Sequence, residues 1–112
     1  MTIKERVDTI VSVLDNKKAE EIEVFDLADT EYIAKEVIIA NSFGGKHTSA
    51  LYEHLKNELK PKGEEFLSVD ESSDWLVVDL GDIIVHIMTP AYREHYSIEK
   101  FLSELTELQK SK

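Results

Sequence analysis

The chain contains no cysteine. A disulfide framework, a thiolate nucleophile and a zinc-thiolate site are therefore excluded, and the composition suits a reducing compartment. No apolar run approaches the ~18–20 residues that a membrane span requires, so no membrane partner is expected. The opening stretch from Met1 to Ile10 interleaves charged and apolar residues. It has the pattern of neither a signal peptide nor a transit peptide, and a cytoplasmic location is expected. Positive charge is scarce: 13 Lys and Arg stand against 23 Asp and Glu, a formal net charge of −10. That balance opposes direct nucleic-acid binding, which neutralises phosphates with Lys and Arg. It suits a basic partner, although acidity also keeps a protein soluble.

What is present fits one domain. The 112 residues are 42% hydrophobic and 32% charged, an ordinary globular composition that supports one real core. The spacing predicts a domain over residues 1–108 and a frayed end over 109–112. Thr2 with Glu5 forms a capping-box pattern, and Ile3, Val7, Ile10, Val11 and Leu14 follow at helical spacing, so a helix should end near Asn16. Residues 22–27 alternate as a strand, and the β-branched run 36–40 reads as a more buried one. A turn at 42–45 leads into a helix carrying Leu51, Leu55 and Leu59 and stopping at Pro61. Residues 66–69 form a third strand, with polar loop 70–73 after it. Two hairpin arms come next, closed by Pro90, and Ala91 to His95 form a short helical turn. Ser97 should cap a last helix with Ile98, Phe101, Leu102, Leu105 and Leu108 inward. The order predicts an α/β (α+β) fold: a mixed five-stranded sheet with helices packed against it. Strand–helix–strand over 36–69 predicts a right-handed parallel crossover.

The hairpin, Asp74 to His86, carries the only Trp. If Leu80-Gly81 is the turn, Asp79 lies opposite Asp82 and Trp75 opposite His86. Alternation then puts Leu76, Val78, Ile83, Val85 and Ile87 on one aliphatic face. Trp75, Val77, Asp79, Asp82, Ile84, His86 and Met88 share the other. Two acids and a His would lack partners in a core, yet the face is too apolar for plain solvent. An interaction surface with an aromatic anchor and a charged edge is preferred. The competing reading is that later helices cover this face and Trp75 is core.

Chemical motifs are sparse. Gly44-Gly45-Lys46-His47 opens a helix but lacks the P-loop spacing. Asp79 and Asp82 straddle a turn, whereas metal-dependent nucleotidyl transfer would want Asp-x-Asp along one strand. The four His residues lack metal-ligand spacing. His86 reads as a packing and hydrogen-bonding residue, and Arg93 as the partner of a nearby acid. No catalytic residue, metal or cofactor is expected.

The run Asp74-Trp75-Leu76-Val77-Val78-Asp79, the run Gly81-Asp82-Ile83-Ile84-Val85-His86 and the pattern Pro90-x-x-Arg93-x-x-Tyr96-x-x-Glu99 resemble the signature of the ribosomal silencing factors, the RsfS or Iojap family. Leu14-Asp15-x-Lys17-Lys18-Ala19-Glu20-x-Ile22-x-Val24-x-Asp26-Leu27 and Lys46-His47 add to the resemblance, which spans residues 3 to 108. The chain departs from the family pattern at Lys35 to Ile39, at 41–46, at Thr89 and in the last helix. The resemblance implies a nucleotidyltransferase-like topology without catalytic residues. It implies binding to the large ribosomal subunit through a basic ribosomal protein, blocked subunit joining when nutrients are scarce, and a possible homodimer. Docking is expected to use Trp75, Val77, Asp79, Leu80, Asp82, Ile84, His86, Met88 and Arg93. The alternatives are a small metal-dependent nucleotidyl or phosphoryl transferase, or a large-subunit assembly factor.

Overall fold

A computed structural model of the chain describes residues 2–30, 32–72 and 74–110, with side chains described as far as residue 105. The elements run α1 (Ile3–Asn16), β1 (Glu20–Asp26), β2 (Glu36–Asn41), α2 (Gly45–Leu59), a 3-10 turn (Lys60–Lys62), β3 (Ser68–Glu71), β4 (Trp75–Asp79), β5 (Ile83–Met88), α3 (Pro90–Tyr96) and α4 (Ile98–Lys110). The strands form one mixed sheet in the order β1-β2-β5-β4-β3. Pairing is antiparallel throughout except between β2 and β5. β2 and β3 therefore run in the same direction, as a parallel crossover requires, but β5 and β4 lie between them.

Local chemistry explains the boundaries. The Thr2 hydroxyl accepts from the Glu5 N–H and the Glu5 carboxylate accepts from the Thr2 N–H, the full capping box. This hydrogen bonding holds the Glu5 carboxyl below its usual range. Pro61 sits in the 3-10 turn that ends α2, where a missing N–H costs least. β3 begins two residues later than the alternation predicts. Phe66, placed in that strand by the sequence, instead packs under the helices beside Tyr52 at a ring distance of 6.2 Å.

Two apolar layers sandwich the sheet. On one face, α1 and α2 seal Ile38, Ala40, Leu76, Val78, Ile83, Val85 and Ile87 with Ile10, Leu14, Leu51, Leu55 and Leu59. On the other, Val37, Ile39, Ile84 and Met88 meet Leu102, with Tyr92, Ile98 and Leu105 packed around them. The last helix departs from its predicted face at one position: Phe101 is half exposed and touches Tyr32 edge-on. Ser97 stands just before α4 and its carbonyl accepts from the Lys100 N–H, but its hydroxyl is used elsewhere. It ends α3 with a left-handed φ of 46°, and its hydroxyl donates to the Glu94 carbonyl. α4 runs through Lys110, so two of the four end residues are helical. Ser111 and Lys112 lie outside the described residues, as does the side chain of Leu108.

Candidate partner-binding face

The hairpin register differs from the one predicted. Trp75 pairs with Met88, Val77 with His86 and Asp79 with Ile84. The turn residues are Gly81-Asp82, with the Leu80 N–H donating to the Ile83 carbonyl at 2.9 Å. Gly81 takes φ 92° at the first central position, where two-residue hairpins favour glycine. The slip is two residues, so the strand side chains keep their faces, but Asp82 moves into the turn and leaves the Trp75 face for the side of α1. The expected pairing of Asp79 with Asp82 is overturned, and the two acids are not held side by side. Asp79 accepts from the Gly81 N–H at 2.8 Å and braces the turn. Asp82 is exposed and lies 3.8 Å from Arg6, which is itself bound in a fork to Glu64.

The aromatic end of the face is built in layers. The Trp75 indole N–H donates to Nδ1 of His86 at 3.1 Å, and the two rings stack at 5.8 Å. Tyr92 and Tyr96 of α3 lie over Trp75 at 5.2 and 6.3 Å, and against each other at 4.3 Å. Burial pushes the His86 pKa down to about 4. The ring is thus neutral near neutrality, and its Nδ1 can accept the hydrogen bond from the indole N–H, the packing role that the sequence suggests.

Coverage of the face is uneven. Ile84, His86 and Met88 are buried under α3 and α4, while Leu80 is buried in the layer beneath α1 and α2. Arg93 is buried and fully engaged. It donates to the Glu21 carbonyl, to Asn41 and to Glu23, and its Nε lies 3.5 Å from Glu99. Its expected pairing with acids is what the structure contains. Trp75, Val77 and Asp79 are largely but not wholly covered. Beside them, β3 places Asp70 opposite Val77 and Ser68 opposite Asp79, on the same face. A shallow pocket of about 250 Å³ opens there, lined by Asp70, Glu71, Ser72, Trp75 and Val77.

Sequence reading missed Asp70 and Glu71, which it assigned to a loop, and the Tyr92–Tyr96 cover. The alternation of Val69 inward and Asp70 outward was the available signal for the first. Among the described residues, no three His, Cys, Asp or Glu side chains converge to hold a metal, and no helix is long and apolar enough to cross a membrane.

Comparison with known proteins bears on the family and the fold. A family model described as ribosomal silencing factor during starvation matches residues 1–112. A ribosomal silencing factor of Haemophilus influenzae is 35% identical over 96 residues, covering 84% of this chain and 94% of the relative. A mouse protein named for mitochondrial assembly of the ribosomal large subunit is 27% identical, covering 84% of this chain and 43% of that one. A crystal structure of a Chromobacterium violaceum protein superposes with a TM-score of 0.87 at 28% identity, covering 92% of this chain and 88% of the other.

Proposed function

From the premise that the chain belongs to the ribosomal silencing factor family, whose members are regulators rather than enzymes, we propose that it docks on a basic protein of the large ribosomal subunit and blocks joining of the small subunit. The carrying observation is the pocket beside Trp75, with an apolar floor of Trp75 and Val77 and Asp70 at its rim, while the Glu71 carboxylate turns away to accept from Ser49 of α2. An aromatic anchor with Asp70 and Asp79 on the same face suits a cationic partner surface. In this reading Trp75, Val77 and Asp79 touch the partner, while Asp82, turned toward Arg6 of α1, lies off this face. Leu80, Ile84, His86, Met88 and Arg93 act from beneath, by holding the strands and α3 in place.

Occupying the subunit interface by bulk alone needs no bound cofactor and no reacting group. Repression would follow whenever the protein outcompetes the small subunit, and the cytoplasm is the expected setting. A homodimer formed through the same open face would mask it, and sedimentation of the free protein over a concentration series tests that. The experiment for the function itself mixes purified large and small subunits and follows joining by light scattering. Joining should fall as the protein is added. Unchanged joining at saturating protein would contradict the reading.

A second reading, assembly of the large subunit, is favoured by the name of the mouse relative. It predicts that cells depleted of the protein accumulate immature large subunits in a gradient, with normal joining of the mature ones.

A further inference from the structure

A second surface lies at the opposite edge of the sheet. β1 ends the strand order, so one of its main-chain edges has no strand beside it. Such edges are normally defended with charges and bulges, and β1 has both. Glu20 and Glu23 bracket a register shift in its pairing with β2, and Glu21 within it takes a left-handed φ of 48°. The defence leaves an opening, because a groove of about 640 Å³ runs between β1 and α1. Val11, Ile22 and Val24 line it, and Val24 is 46% exposed. Asp8 and Asp15 of α1 stand at its rim together with Glu20, and none of these three carboxylates is in an ion pair among the described residues.

We propose that this groove accepts an extended, Lys- or Arg-bearing segment of a partner protein, which adds a sixth strand along β1 and packs aliphatic side chains beneath α1. Strand addition supplies main-chain hydrogen bonds, and pockets for alternate side chains supply selectivity. The occupant is chosen by charge. A second copy pairing edge to edge would bring the glutamates of one β1 against those of the other, and like charges across a strand pair repel. A nucleic acid or an anionic membrane would meet the same repulsion. A basic strand relieves the unpaired acids and fills the aliphatic floor. The surface is separate from the Trp75 pocket, which lies beside β3 and β4.

The test uses the full chain labelled with nitrogen-15 and a short synthetic peptide alternating valine with lysine. A control peptide keeps every lysine but replaces each valine with proline, which removes the alternate main-chain donors and the aliphatic side chains. Amide shifts should map to 20–26 and to the 8–15 face of α1. Glu20→Lys with Asp15→Lys should weaken binding roughly tenfold, and Val77→Lys should leave it unchanged. The proposal is overturned if the proline peptide binds equally well, since charge alone would then suffice. It is equally overturned if the shifts map to Trp75 and Val77, or if the valine peptide does not bind.

Discussion

Leu76 and Trp75 are neighbours in one strand, yet Leu76 is completely buried and Trp75 keeps part of its surface open. The difference runs along the whole hairpin. Its aliphatic face is closed by two long helices, and nothing polar is asked of it. Its other face is closed only in part by α3 and α4, and the covered portion includes a neutral His and an aromatic stack. The first face stabilises the fold. The second divides its residues between supporting the helices above and presenting Trp75, Val77 and Asp79 at an opening edged by β3. Under the proposed docking role, a surface that is part core and part open would keep its anchor rigid before a partner arrives and lower the ordering cost of binding.

Substitutions should separate these roles. The largest effect is expected on the sealed face: Leu76→Ala should lower stability by about 3 kcal/mol in urea unfolding, while the folded fraction still binds large subunits. On the open face, Trp75→Ala should weaken ribosome binding by about 2 kcal/mol or more in a pelleting titration. Some stability should go with it, because Tyr92 and Tyr96 lose the ring they stack on.

The covered part of that second face should respond to acid. The His86 pKa is lowered in the fold to about 4, so the unfolded chain takes up its proton first as pH falls through the ordinary histidine range. Stability contributed by the neutral ring is complete above that range and is lost on going down toward pH 4. Unfolding at pH 5 should show a deficit of about 2 kcal/mol relative to pH 7, and His86→Gln should remove it. Glu36 acts with the opposite sign. Burial, and after it the charge of Asp26, raises its carboxyl, and one of its oxygens is buried with no hydrogen-bond partner among the described residues. Its protonation favours the fold as pH falls, so the comparison with His86→Gln is what isolates the histidine. The smallest effect belongs to neither face. Thr2→Ala should cost about 1 kcal/mol through the lost cap of α1 and leave ribosome binding unchanged.

Much of this architecture was legible from local pattern. The capping box set the start of α1, the leucines at four-residue spacing set the buried side of α2, and alternation sorted the hairpin residues onto their two faces. The register was not legible to the same degree. Leu80-Gly81 and Gly81-Asp82 are both acceptable two-residue turns, and either choice leaves the faces of the strand residues unchanged, with only Asp82 moved to the side of Arg6. Which part of the Trp75 face lies open depends on where α3 and α4 land, and no local periodicity encodes that. The inward assignment of Phe101 failed for a related reason: helical spacing marks an apolar stripe but not its width, and the sheet takes Leu102 while Phe101 sits at the margin against Tyr32. The family resemblance supplied the ribosome, and the fold supplied Asp70 and Glu71 as neighbours of Trp75.

The central claim is that the open part of the Trp75 face is the docking surface. Val77 is largely but not wholly covered and lines the pocket, so Val77→Lys places a positive charge where a basic partner would sit without emptying the core. Parent and variant are each mixed with purified large subunits and run on a sucrose gradient, with circular dichroism confirming that the variant is folded. The parent should migrate with the large subunit and the variant should remain at the top. Equal comigration of the folded variant would contradict the assignment of this face.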